Sequence, residues 1–464
     1  MAVQKTISPV DGSVLLERTL AEGVEIGDVL DRAVAAQRAW RSVPVEQRAA
    51  SCRKFCDAFE AKQDAIAVDL TWQMGRPIRY SASEVRGTLE RARYMIDIAP
   101  VALADLDAGP KADFRRFVRR EPLGVVFTVA AWNYPYLIAV NSVLPAIMAG
   151  NSVVLKHSAQ TPLCAERFAD CFREAGLPEG VFQVLHLSHE DTERVAKDPR
   201  VAFVAFTGSV AGGHAIQRAL ADRFIGSGLE LGGCDPAYVR HDANIVHAVE
   251  NLVDGAFFNS GQSCCGIQRI YVHEKLYEDF VEGAVALTKQ YVLGNPSEQA
   301  TTLGPVVRTS AAEQVRKQIA ASIEAGAQPS INERDFAASR AGTPYMAPQL
   351  LLNAGNRSTV MREEIFGPVA GVMKVRSDEE AVALMNDSAF GLTAAIWTED
   401  SDAAVAIGDR VETGTWFMNR CDYLDPALAW VGVKDSGRGC TLSRVGYEHL
   451  TRPKSFHLRT RTVT

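Results

Sequence analysis

Apolar positions along the chain follow two rhythms. At 26–40, 46–74 and 81–99 they recur every three or four residues, with Phe55, Phe59, Ile66 and Leu70 on one stripe, and this spacing predicts helices. Gly75-Arg76-Pro77 stops the second helix. Ahead of them, short apolar pieces at 6–20 around Pro9-Val10-Asp11-Gly12 predict a small hairpin. From Val125 the rhythm changes. Short apolar runs at 125–130, 152–156, 181–185 and 201–206 read as strands, with helices at 136–148 and at 162–175, the latter closed by Gly176. After Gly233 a second series predicts a helix at 246–258, a strand at 269–272, helices at 274–291 and 310–325, a strand at 368–375, a helix at 378–386 and a strand at 394–397. Alternating strands and helices imply an α/β fold with a parallel, doubly wound sheet, which binds ligands at the carboxyl ends of its strands. Residues 114–120 alternate apolar and basic side chains and predict an exposed edge strand, and the tail at 454–464 predicts another.

One stretch breaks the pattern of charge. No charged residue occurs from Pro122 to Leu155, a length that suggests a membrane span, but Asn133, Pro135, Asn141, Pro145, Gly150 and Asn151 divide it. A buried strand, a helix and another strand explain it better. Across 464 residues, 47% hydrophobic and 23% charged content describe a globular protein too long for one core, so two large lobes are expected. The net charge of −7 argues against a nucleic-acid or anionic-membrane binder. The nine cysteines form no paired CxxC framework, and His186-x-x-His189 and Cys52-x-x-x-Cys56 lack the second half of a zinc site, so no metal is expected. Cys52 and Cys56 read as buried packing. Odd cysteine usage and the lack of an apolar signal core at the N-terminus point to a reducing, cytoplasmic compartment.

Four places offer chemistry. Cys264, after Asn259-Ser260-Gly261-Gln262, lies beyond a helix; a thiolate there is a strong nucleophile, and a small buried residue is the alternative. Cys265 is its neighbour, and composition does not say which reacts. Glu230 stands in the apolar run Leu229-Glu230-Leu231-Gly232-Gly233, where an acid is costly unless it is paired or used as a base. Asn133, in Ala131-Trp132-Asn133-Tyr134-Pro135, offers an amide to an oxyanion or caps a turn. Phe206-Thr207-Gly208-Ser209 follows a strand and opens a helix, a place where backbone amides meet a pyrophosphate.

Taken in order, these motifs resemble the aldehyde dehydrogenase superfamily over nearly the full chain: Trp132-Asn133-Tyr134-Pro135, Lys156, Phe206-Thr207-Gly208-Ser209, Leu229-Glu230-Leu231-Gly232-Gly233, Gly261-Gln262-Ser263-Cys264, Glu363-Glu364-Ile365-Phe366-Gly367-Pro368, and Asn386 with Phe390-Gly391-Leu392. The resemblance implies a Rossmann-type cofactor domain at 1–107 and 122–232, an α/β catalytic domain at 233–447 and an oligomerisation arm at 108–121 and 448–464. It implies that Cys264 is the nucleophile, Cys265 its variable neighbour, Glu230 the base, and Asn133 with the Cys264 N–H the oxyanion hole. It places Lys156 and Glu364 at the ribose hydroxyls of NAD or NADP, Ser209 at the pyrophosphate and Phe366 near the nicotinamide ribose; Trp132, Ser158, Gly208 and Leu231 complete the expected cofactor contacts. The implied reaction oxidises an aldehyde to its carboxylic acid through a thiohemiacetal and a thioester, in a homodimer or homotetramer.

Three departures matter. The acid that NAD-preferring relatives carry three residues after the lysine is Ala159 here, which makes NADP use plausible with help from His157 and Ser158. Gly232-Gly233-Cys234-Asp235 replaces Gly-Gly-Lys, and Ala429-Trp430-Val431-Gly432-Val433-Lys434 replaces the Pro-Phe-Gly-Gly-x-Lys segment. The loop Asn419-Arg420-Cys421-Asp422-Tyr423 offers Arg420 to a substrate carboxylate or to an ion pair, or Tyr136, Trp416 and Tyr423 as an aromatic pocket. Two rival readings remain at this level: thioester transfer to coenzyme A, and a non-catalytic protein on the same fold.

Overall fold

The computed structural model describes residues 2–462. Its first lobe is built on a six-stranded sheet. Val125–Val129 lies between Ser152–Lys156 and Val201–Thr207, all parallel; Phe182–Val184 extends one side and Gly226–Glu230 the other. The first strand of this series therefore neighbours both the second and the fourth. That is the switch point where loops diverge at the carboxyl ends and leave a crevice. The crevice loops are Ala130–Tyr134 and Gly208–Ser209. Gly437–Arg438 closes the edge by pairing antiparallel with Gly226–Glu230.

The charge-free stretch folds as the strand Val125–Val129, the helix Pro135–Met148 and the strand Ser152–Lys156. The helix is buried nearly all round, which explains why it carries no charge. No helix among the described residues is long and apolar enough to cross a membrane.

The second lobe carries a seven-stranded sheet. Gln349–Leu352, Val369–Val375, Ile267–His273, Asp235–Val239, Thr393–Trp397 and Thr415–Met418 run parallel, with Gln328–Pro329 antiparallel at one edge. A third sheet has three strands: Thr451–Arg459 pairs with Phe114–Pro122, which pairs with Leu106–Asp107.

Several expectations change. Residues 46–74 form two helices, Val45–Glu60 and Gln63–Met74, because the chain leaves helical geometry around Ala61-Lys62. Both still bury the predicted stripe, including Cys52 and Cys56. Residues 114–120 are the middle of a sheet, not an edge. The alternating pattern misleads here because in the single chain most of the arm strand lies at or near the surface, wherever its neighbours are. The final strand begins at Thr451, earlier than predicted, and residues 463–464 of that expectation lie outside the described residues. Gly226–Glu230 was not read as a strand: Gly226, Ser227 and Gly228 have poor β-propensity, and two flanking strands impose the conformation. Asp235–Val239 was missed for the same kind of reason, since Pro236 argues against a central strand.

Candidate active site

Glu230 is the last residue of its strand, so its side chain leaves the sheet at the carboxyl end. Thr441 Oγ1 donates to Glu230 Oε1 at 2.7 Å and Thr207 Oγ1 to Oε2 at 3.2 Å. No cation pairs with this carboxylate among the described residues. Burial raises its pKa above the ordinary value, and the two threonine hydroxyls and the charge of Arg91 only partly oppose that. A carboxyl tuned upward in this way suits proton abstraction near neutral pH.

Cys264 reaches the same place from the other lobe. The helix Ile245–Phe257 starts on an Asn244 cap and hands the chain to a short turn, Phe258–Gly261. There Asn259 and Ser260 hold left-handed backbone at φ 54° and 58°. Side chains impose this strained turn. Asn259 Nδ2 donates to the carbonyls of Asn133 and Gln262 at 3.1 and 3.2 Å, Gln262 Nε2 donates to Asn259 O at 3.1 Å, and Ser260 Oγ donates to Gly304 O at 2.8 Å. Gly233 closes the assembly, because a Cβ at that position would collide with the Cys264 carbonyl. The two stretches that carry the acid and the thiol thus meet across the lobes. Glu230 and Cys264 line one cavity of about 460 Å³, together with Arg91, Thr207, Asp254, Cys265, Asp422, Tyr423 and Trp430.

Asn133 is 4% exposed, and its side-chain amide makes no hydrogen bond within the described protein. Its backbone carbonyl is held by Arg76 Nη2 at 2.7 Å as well as by Asn259. The loop is therefore fixed through the main chain and the amide is left free. Arg76 is buried, ion-paired with Glu84, and bonded to Asn259 Oδ1 at 3.1 Å. It ties the nucleophile loop to the Asn133 loop. Sequence reading saw only a helix stop there.

The cofactor candidates gather along the carboxyl ends of the first sheet. Lys156 ends its strand, is 8% exposed and has no acceptor among the described residues; burial lowers its pKa. Ser209 caps the helix Val210–Ala219, accepting from Gly212 N at 3.2 Å. Side chains at Gly208 or Gly212 would run into the Phe206 ring, so these glycines keep the helix start narrow. Leu231 follows Glu230 and packs under Gly213. Glu364 accepts from Gly233 N at 3.0 Å, and burial pushes its pKa up to about 7. Phe366 holds φ 54° and meets Trp132 edge-on at 5.6 Å. An unpartnered buried ammonium and a glycine-narrowed helix start at the carboxyl ends of the first sheet are the features a bound dinucleotide would use.

Ser158 caps its own turn, accepting from Gln160 N at 3.2 Å while its own hydroxyl can still donate. His157 is buried, its pKa driven down to about 3 by burial; Nε2 donates to Pro135 O at 3.2 Å and Nδ1 accepts from Ser158 N and Thr161 Oγ1. It offers nothing to a phosphate. Arg420 is exposed and stacks 3.9 Å over the Tyr423 ring, with no ion pair among the described residues and no share of the cavity lining. Tyr136 is in the core beside Phe59 and Phe168, and Trp416 Nε1 donates to Ala404 O at 3.0 Å, so of the three proposed aromatics only Tyr423 lines the cavity.

Sequence reading missed Arg91. It is 8% exposed; Nη1 donates to Leu137 O at 3.1 Å and to Asn141 Oδ1 at 3.2 Å, and no carboxylate pairs with it among the described residues. The signal was a helical stripe, Glu84, Thr88, Arg91 and Met95, that carries charge into a buried face.

The model of the aldehyde dehydrogenase family matches residues 2–456. A succinate-semialdehyde dehydrogenase [NADP(+)] of Mycobacterium avium is 33% identical over 453 residues, covering 97% of this chain and 95% of that protein. An aldehyde dehydrogenase of Paenarthrobacter nicotinovorans is 35% identical over 458 residues, covering 97% and 98%. Among solved structures, succinic semialdehyde dehydrogenase from Streptococcus pyogenes in complex with NADP+ superposes with a TM-score of 0.94 at 28% identity, over 98% of this chain and 100% of that one. These relatives carry neither the coenzyme A-acylating nor the non-catalytic description. The chain belongs to the aldehyde dehydrogenase family and is an NAD(P)-dependent oxidoreductase that converts an aldehyde to the carboxylic acid.

Proposed function

We propose that the preferred substrate is a short semialdehyde, with a carboxylate at the far end from the reacting carbon, of the kind named for the Mycobacterium relative. One observation carries this reading: the guanidinium of Arg91 is buried, lines the Cys264 cavity and lacks a carboxylate partner. A buried cation without a counter-charge is costly, and a substrate carboxylate would supply the charge. Ala159 and the unpartnered Lys156 support a preference for NADP, since no acid stands where a 2′-phosphate would be repelled.

In this reading Cys264 Sγ adds to the aldehyde carbon, and the resulting oxyanion takes hydrogen bonds from the Asn133 amide and the Cys264 N–H. A bound nicotinamide would supply the hydride acceptor that this oxidation requires. Lys156, Ser209, Glu364 and Phe366, with Trp132, Gly208 and Leu231, would hold the dinucleotide. Glu230 then takes a proton from the water that opens the thioester, and Thr207 and Thr441 keep its carboxylate aimed. We further propose that the first lobe spans 1–107 and 122–232 and the second 233–447, that the arm joins copies into a homodimer or homotetramer, and that the enzyme works in the cytoplasm.

The test is kinetic. Arg91→Met should lower kcat/KM for succinate semialdehyde by about 10²-fold while changing butanal by less than about threefold, the difference expected for a buried charge pair. Measured with both cofactors, the wild type should favour NADP. Equal losses on both aldehydes would remove Arg91 from substrate recognition.

A further inference from the structure

Cys264 and Cys265 are adjacent thiols on one cavity wall, and the reading above needs only one of them. The loop opposite holds what separates them. After the strand Thr415–Met418, Asn419 and Asp422 take left-handed backbone at φ 54° and 48°, a conformation these residue types tolerate better than most. Asp422 Oδ1 accepts from Ser263 Oγ at 2.9 Å and from Cys265 Sγ at 3.0 Å. Asp422 Oδ2 meets the Tyr134 hydroxyl at 3.5 Å, and the Arg76 guanidinium lies 4.7 Å over that ring. One carboxylate therefore grips the residues on both sides of Cys264 without bonding Cys264 itself.

We propose that Asp422 is a positioning residue for the nucleophile: it fixes the thiol loop from both sides and commits Cys265 to donating a hydrogen bond, so that Cys264 alone presents a reactive sulfur. An ionised carboxylate accepts and never donates, so the Cys265 thiol facing it keeps its proton. The Cys265 thiol is indeed held well above the ordinary range, by its hydrogen bond with Cys264, by burial and then by Asp422. The other charged groups in reach are Arg76, already matched by Glu84, Arg91, whose charge bears on both thiols, and the acids Asp254 and Asp235, each pushed up by burial and then by the charge of Asp422. No cation pairs with Asp422 among the described residues. This inference rests on Cys264 being the nucleophile.

The experiment alkylates the full-length enzyme with iodoacetamide, maps the rates at Cys264 and Cys265 by peptide mass spectrometry, and measures kcat and KM in parallel. Wild type should alkylate Cys264 about tenfold or more faster than Cys265. Asp422→Ala should bring the two rates within about threefold and lower kcat about tenfold, with KM for NADP within about twofold. Asp422→Asn keeps an acceptor oxygen for both hydrogens and should recover most of kcat. Ser263→Ala, which removes one of the two bonds, should lower kcat by about threefold and keep the Cys264 preference. Wild-type selectivity and kcat in an Asp422→Ala enzyme that binds NADP normally would overturn the proposal. So would failure of Asn to rescue, or, where Asp422→Ala does not fold, an unchanged kcat in Ser263→Ala. Turnover by Cys264→Ser would instead overturn the nucleophile assignment itself.

Discussion

Two pairs of charges meet near the cavity, and the protein treats them oppositely. Arg76 and Glu84 have side chains only 1% and 0% exposed and are paired. Their remaining polar atoms go to Asn259, to the Asn133 carbonyl and to Tyr136 N. Arg91 and Glu230 are the same residue types, yet Arg91 is bonded only to a carbonyl and an amide oxygen, and Glu230 only to hydroxyls. Glu84 and Arg91 even share one helix, 91 − 84 = 7 residues and about two turns apart. The matched pair is spent on holding loops together. The separated pair keeps its charge unmatched by the fold, which the proposed reaction would use toward a substrate carboxylate and a water proton. What distinguishes scaffold from chemistry here is whether a charge has been neutralised by the fold, not whether it is buried.

Breaking the separated pair should cost catalysis and not stability. Glu230→Gln is expected to lower kcat by about 10²–10⁴ while a first turnover of reduced cofactor persists in rapid mixing, because only hydrolysis needs the base. Its melting temperature at pH 7.5 should not fall. The sign follows from the raised pKa: an acid whose folded pKa lies above its unfolded value costs stability once pH exceeds the unfolded value, so removing the ionisable group relieves that cost. A large drop in melting temperature would show that Glu230 belongs with the scaffold.

Breaking the matched pair should do the reverse. Arg76→Met leaves Glu84 buried without its partner, and denaturant unfolding should show a loss of about 3–5 kcal/mol. The smallest effect is on the pH profile. The wild-type steady-state rate should fall on the acid side as Glu230 takes up a proton, by about tenfold per pH unit below its raised pKa, and that limb should disappear in Glu230→Gln. A limb that survives the substitution assigns it to another group.

Much of this was legible in the chain. The strand and helix rhythm from Val125 onward placed the first sheet because parallel strands are buried on both faces and read as plain apolar runs. Cys264, Glu230 and Asn133 stood out because each breaks an apolar or turn context. The strand Gly226–Glu230 did not, because its first three residues have no local preference for it and its neighbours come from other parts of the chain. Arg420 looked like a substrate cation because it lay beside the mouth loop in sequence, but it turns outward onto Tyr423. Arg91, 420 − 91 = 329 residues earlier, lines the cavity and, unlike Arg76, which also lines it, is buried there without a carboxylate partner among the described residues.

The sequence by itself determined most of the alternation of strands and helices and the residue types of the family's motifs, since those follow from local periodicity and from motifs that fix a short backbone path. Only the tertiary structure decided which charges are matched, which of two neighbouring thiols is gripped by Asp422, and which of the cavity's arginines is buried without a counter-charge. Those outcomes depend on pairings across hundreds of residues, where a counter-charge a few ångströms away changes what a buried group can do.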